Sequence, residues 1–130
     1  MSKKETIRRI FRDIVGAGQV DEAGIRRLFA PGYVQKVDGK TLDLDGFIAH
    51  MRAQKQHITE AETEFLALAE EGDTVFSNHI VRAKKADGSR IAVQVLAQFA
   101  FDENGRIALY DELTRLIAGG AEDADIGSRR

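Results

Sequence analysis

The stretch Thr74–Leu116 constrains the fold more than any other. Three alternating runs are separated by Ala86-Asp87-Gly88-Ser89 and by Glu103-Asn104-Gly105-Arg106. Asp-Gly and Asn-Gly between such runs are strong hairpin signals, because both central residues of a type I′ turn need positive φ. Three long antiparallel strands are therefore expected. Two-residue loops would set Ala86 opposite Ser89 and Glu103 opposite Arg106, and every other pairing follows. One face then carries Asn78/Ala97/Glu112, flanked by Phe76/Phe99/Tyr110 and Ile80/Val95/Thr114. The other carries Ser77/Gln98/Asp111, His79/Leu96/Leu113 and Val81/Gln94/Arg115. Such lateral neighbours sit about 4.5–5.5 Å apart. A one-residue slip inverts every assignment, and a bulge between Gly105 and Asp111 would exchange Asp111 and Glu112.

Helical patterns come first in the chain. Ser2 is the expected cap of a helix with Ile7, Ile10, Phe11, Ile14 and Val15 on one stripe, ended by Gly16 and Gly18. Asp21 caps a second helix with Ile25, Leu28 and Phe29 inside, stopped by Pro31-Gly32. Tyr33–Val37 reads as a short strand. Asp43 caps a third helix with Leu44, Phe47, Ile48 and Met51 inside and His50 at the flank. Thr59–Ala69 reads as a strand whose Glu60, Glu62 and Glu64 face water. Helices followed by strands give an α+β fold. Long strands twist and curl, so the expected shape is a cone: a strongly curved, mostly antiparallel sheet with three N-terminal helices closing a pocket. Residues 1–120 form this domain, and 121–130 form a polar tail.

The net charge of −2, without a long run of Lys or Arg, argues against nucleic acid as a partner. The absence of cysteine removes disulfides, thiol catalysis and thiolate metal sites. With no long apolar run and no apolar core in the first residues, a cytoplasmic protein without membrane contact is expected. No phosphate-binding loop or nucleophile elbow is present. His50, His57 and His79 lack ligand spacing, and the register sets His79 and Glu112 on opposite faces, so no metal site and no cofactor are expected.

Chemistry is left to the Asn78/Ala97/Glu112 row. An amide and a carboxylate among Phe76, Ile80, Val95, Phe99 and Tyr110 have the make-up of a small-molecule pocket. Tyr33, Phe47, Met51 and Thr114 complete the expected lining. A carboxylate in such walls has a raised pKa, which suits general acid–base work. Glu112 is the candidate acid/base, and Asp111 belongs to the outer face. The competing reading makes Glu112 structural, neutralised by Arg82 at the rim.

The chain resembles the nuclear-transport-factor-2-like superfamily, in particular its SnoaL-like bacterial members. The resemblance rests on Arg27-Leu28-Phe29-Ala30 with Tyr33-Val34, on Asp45-Gly46-Phe47, and on Phe101–Ile107 leading into Asp111–Leu116. It implies a cone with a deep pocket and a homodimer built on the outer sheet face. The family includes ketosteroid isomerases, polyketide cyclases, dehydratases and epoxide hydrolases. The acidic residue of the cyclases falls near Glu112, and Tyr110, Glu112 and Thr114 match pocket-facing positions. The isomerases' catalytic aspartate lands on Val37, their oxyanion-hole aspartate on Ala97, and their helix-1 tyrosine near Phe11. The histidine often found after Tyr33-Val34 is replaced by Gln35-Lys36.

The sequence thus leads to two expectations. One is an isomerase, cyclase or dehydratase working by proton transfer on a small, largely apolar or amphipathic substrate. The alternative is a non-catalytic module that binds a ligand or a partner protein. A homodimer through His79, Leu96, Gln98, Asp111 and Leu113 is expected in either case.

Overall fold

The computed structural model describes residues 2–120; the expected tail, 121–130, lies outside them. Ser2 Oγ accepts the Glu5 backbone N–H at 3.1 Å and starts α1, Lys3–Ile10. The helix loosens into a π-helical turn, Phe11–Val15, closed by the Gly16 N–H on the Phe11 carbonyl at 2.9 Å. Ile7, Ile10, Phe11 and Ile14 are buried, as the periodicity predicts. Asp21 caps α2, Glu22–Leu28, through the Gly24 N–H at 2.9 Å.

That helix ends before the expected Pro31-Gly32 stop, because β1 begins at Phe29 and runs to Val37. Pro31 falls where the pairing of β1 shifts, between Phe29 and Val34, a place where a missing N–H is tolerated. Strand β2, Lys40–Asp43, was not legible in the sequence; four residues are too few to show alternation. Its turn, Asp38-Gly39, has φ of 51° and 85°, the two-residue type I′ geometry. Asp43 then caps α3, Leu44–His57, through the Gly46 N–H at 2.7 Å.

The remaining strands are β3 Ile58–Glu71, β4 Thr74–Lys85, β5 Arg90–Phe101 and β6 Ile107–Ala118. They complete a six-stranded sheet in the order β2-β1-β6-β5-β4-β3, antiparallel except for β1 against β6. Register shifts in β3 and beside the β5–β6 turn mark bulges, and bulges bend a sheet. The sheet wraps the helices as an open cone. The core is a single cluster between its concave face, α1 and α3. Glu60, Glu62 and Glu64 face solvent as expected.

The hairpin loops differ from expectation, with consequences for the site. The first is a three-residue loop. Lys85 N–H donates to the Ser89 carbonyl at 2.8 Å and Gly88 N–H to the Lys85 carbonyl at 2.9 Å, with Gly88 at φ 89°. The groups a two-residue loop would pair are engaged elsewhere. Ala86 N–H donates to the His57 carbonyl at 2.8 Å, and Ser89 N–H donates to Asp87 Oδ1 at 2.9 Å. The ladder is displaced by one residue: Ser77 faces Ala97, Asn78 faces Leu96 and His79 faces Val95.

The second loop also has three residues, with Asp102 N–H on the Arg106 carbonyl at 2.8 Å and Gly105 at φ 77°. Here a bulge after Ile107 restores the expected pairing: Phe101 pairs with Ile107, but Ala100 pairs with Leu109. Two offsets of one residue cancel, and Ala97 faces Glu112 as expected.

Strand β4 is therefore turned over relative to the expectation. Ser77 and His79 are buried on the concave face, where Val81 lines the cavity. Phe76, Asn78 and Ile80, expected in the pocket, belong to the outer face. Phe76 is 48% exposed there. Asn78 Oδ1 accepts from Gln94 Nε2 at 3.0 Å, and Gln94 Oε1 accepts from Arg115 at 2.8 Å. His79, fully buried, is removed from the expected dimer face, which keeps Leu96, Gln98, Asp111 and Leu113.

Candidate active site

The concave face of the sheet, α3 and the π-helical turn enclose a cavity of about 110 Å³. Cavities on this scale admit a single benzene-sized ring. Its wall is mostly apolar, with Phe11, Phe47, Met51, Val95 and Phe99 among the lining residues. Polar side chains enter at defined places: Gln35, His50, Gln54, Lys55, His79, Tyr110, Glu112 and Thr114.

Glu112 comes from the middle of β6 and is 6% exposed. In its lateral row stand Ala97 and Ser77, and Val37 lies beside it on β1. Burial pushes its carboxyl up to about 8. The Tyr110 hydroxyl, which hydrogen-bonds it, acts the other way, while the Asp38 and Asp111 carboxylates push it further up. At neutral pH the group is mostly a neutral acid and a proton donor. Arg82 does not neutralise it: its Nη1 donates to Glu64 Oε1 at 2.8 Å on the outer face.

Burial first, and Glu112 second, hold Tyr33 and Tyr110 well above the ordinary phenol range. Tyr33 is 1% exposed and donates to Gln35 Oε1 at 2.9 Å. Its ring is locked by Phe29 and Phe47, at 4.9 and 5.6 Å between centroids. Along β1 and β6 the pairs Gln35/Tyr110 and Val37/Glu112 alternate, so one end of the cavity gathers Tyr33, Gln35, Tyr110 and Glu112. At the rim, Asp38 accepts the Thr114 backbone N–H at 2.8 Å and the Thr114 hydroxyl.

Across β5, Ser77 Oγ and His79 Nδ1 are 2.9 Å apart, and His79 is lowered to about 4 by burial. Lys55 Nζ donates to the carbonyls of Ile14 and Val15, at 3.1 and 2.6 Å, and ties α3 to the end of the π-helical turn. Burial lowers this ammonium. Among the described residues no group of three His, Asp or Glu side chains is placed to hold a metal ion, and no helix is long and apolar enough to cross a membrane.

Of the expected site residues, Phe47, Met51, Val95, Phe99, Tyr110 and Thr114 line the cavity with Glu112. Tyr33 and Ala97 are buried beside it and support the wall. Phe76, Asn78 and Ile80 are on the other side of the sheet. Sequence reasoning missed Gln35, His79, Gln54 and Lys55 and left His50 at the flank. A signal existed for α3: Phe47, His50, Met51 and Gln54 are three or four residues apart and share one helix face. None existed for His79 without the true loop length.

Residues 7–110 match the family model of the SnoaL-like domain; the match stops two residues before Glu112. An uncharacterised protein of Schizosaccharomyces pombe is 33% identical over 122 residues, covering 94% of this chain and 92% of that one. Among solved structures, a candidate SnoaL-like polyketide cyclase from Jannaschia sp. CCS1 is similar with a TM-score of 0.74 at 18% identity, covering 98% and 93% of the two chains. An LEH-like epoxide hydrolase from M. tuberculosis is similar with a TM-score of 0.70 at 13% identity, covering 97% and 88%. By sequence match and by architecture alike, the chain belongs to the SnoaL-like family of the nuclear-transport-factor-2-like fold.

Proposed function

We propose that this protein is an acid–base enzyme of the isomerase or cyclase kind, acting on a small, largely apolar substrate without a cofactor, with Glu112 as the proton donor. The observation that carries this reading is a carboxyl buried on a cavity wall, whose pKa that burial raises to about 8. A donor whose pKa lies near the working pH transfers its proton and recovers it at useful rates. Ring closure of a polyketide and opening of an epoxide both require a proton to reach a substrate oxygen. The neighbours named for those activities fit the same chemistry.

In the step proposed, the Glu112 O–H protonates a substrate carbonyl oxygen as water takes the α-proton. The enol then reprotonates on carbon, and the oxygen returns its proton to Glu112. Deuterium uptake by 4-methylcyclohexanone in D₂O, followed by NMR, tests this without knowledge of the natural substrate. The wild type is expected to accelerate uptake and Glu112→Gln is not. Because the acid form is the active one, the rate should fall about tenfold per pH unit above the Glu112 pKa of about 8. Equal rates for the two proteins would refute the reading.

A binding-only pocket is the second reading, and it draws on the family match ending before Glu112. It requires ligand binding with no exchange above background.

The ligand is proposed to be bound by a homodimer. Leu96 and Leu113 are lateral neighbours on the outer face, 53% and 64% exposed, with Phe76 nearby at 48%. An apolar patch on a sheet face is most simply covered by the same patch of a second copy. Leu113→Glu should convert a dimer to a monomer in light scattering at micromolar concentration. A wild type that is already monomeric there would overturn the assembly.

A further inference from the structure

His79 has no place in the proton transfer proposed for Glu112, yet it is a buried polar side chain of the cavity wall. It is fully buried, and among the described residues its Nε2 has no hydrogen-bond partner. Its other nitrogen is engaged by Ser77 at 2.9 Å. A buried imidazole nitrogen without a partner costs stability, and here the ring lines a cavity.

Its position relative to Glu112 is fixed by the ladder. Ser77/Ala97/Glu112 is one row and His79/Val95/Thr114 the next. Two strand spacings separate β4 from β6, about 10 Å at the backbone, and the apolar Val95 and Ala97 of β5 lie between. The cavity, with room for one ring, thus has the Glu112 carboxyl on one flank and the His79 ring on the other, whose Nε2 is itself covered. Phe11 packs edge-on to the imidazole at 4.6 Å and Phe65 lies tilted against it at 5.3 Å, so a ligand that reaches Nε2 has to move an aromatic neighbour. The Lys55 ammonium is engaged with two carbonyls, which leaves no ready counter-charge for an anion.

We infer that His79 Nε2 is a second ligand anchor opposite Glu112, and that the ligand is an uncharged one-ring molecule carrying a hydroxyl or carbonyl oxygen at each end. This rests on the cavity being the substrate site. In the tautomer in which the Ser77 hydroxyl donates to Nδ1, Nε2 carries the proton and donates to the ligand oxygen; in the other, Nε2 accepts from a ligand hydroxyl. Burial keeps the ring neutral at physiological pH.

The test uses the full chain with 4-hydroxyacetophenone, which has two oxygens, and with 4-ethylphenol and 4-methylacetophenone, which have one each. Binding is followed by NMR on side chains of Val95, Phe99 and Tyr110, and the His79 ring is followed by ¹⁵N spectroscopy. The two-oxygen probe is expected to bind about fivefold tighter than either control, the worth of one neutral hydrogen bond. It should also shift the Nε2 resonance of the wild type. His79→Phe should erase the advantage of the two-oxygen probe over the controls. Occupancy of the cavity by all three probes with equal affinity and an unmoved Nε2 resonance would overturn the inference and leave the role of Glu112 standing. No probe response at Val95, Phe99 and Tyr110 would refute the substrate site itself, and the inference with it.

Discussion

Glu112→Gln is expected to melt later than the wild type at pH 8 while its catalysis drops by about 10²–10⁴-fold, the usual worth of a positioned acid. The stability gain follows from linkage. The folded carboxyl titrates near 8 and an ordinary one near 4.5. Between those values the unfolded chain has released a proton that the folded chain keeps, so stability falls as pH rises. It is intact below 4.5 and fully reduced above 8. Gln mimics the neutral acid and removes the slope, a gain of roughly 2–4 kcal/mol at pH 8.

His79 works in the opposite sense. Its folded value is about 4 against an ordinary 6.5, so stability is lost as pH falls through that window. Each group contributes a slope of about 1.4 kcal/mol per pH unit. The two slopes cancel between about 4.5 and 6.5, and that of Glu112 survives alone from 6.5 to 8. Urea unfolding across this range should show a plateau followed by a decline. Glu112→Gln should abolish the decline and expose a rise below 6.5. A wild-type profile still rising between 6.5 and 8 would contradict the placement of Glu112 in a desolvated wall.

Phe29→Ala is expected to cost about 3–5 kcal/mol, the range for a fully buried aromatic truncated in a core. Phe29 is 1% exposed and packs edge-on to Tyr33 at 4.9 Å and against Phe47 at 5.1 Å. This cluster joins α3 to β1 and holds the Tyr33 hydroxyl on Gln35. The variant should therefore lose order at the Glu112 end of the cavity as well as global stability. Asn78→Ala, on the outer face, should cost well under that. Comparable losses in urea unfolding would mean that Asn78 is not where the ladder places it.

The opposite fates of Glu112 and Asn78 show how far local signals reach. The same turn rule places both in the pocket, and both turns depart from it in the same way. Glu112 stayed in the pocket because a bulge after Ile107 offset the longer loop. Asn78 left it because β4 has no matching bulge against β5.

From the sequence alone came the helices and their caps at Ser2, Asp21 and Asp43, the long strands, the β5–β6 register and the burial of Glu112. These depend on periodicity and on contacts between near neighbours in the chain. The face of β4 was decided by tertiary structure: the His57 carbonyl, at the end of α3, takes the Ala86 N–H and holds the loop at three residues. The same holds for the raised pKa of Glu112 and for His79 Nε2, which has no partner among the described residues. Both arise from how much water the assembled sheet and helices exclude, and no local pattern encodes that quantity.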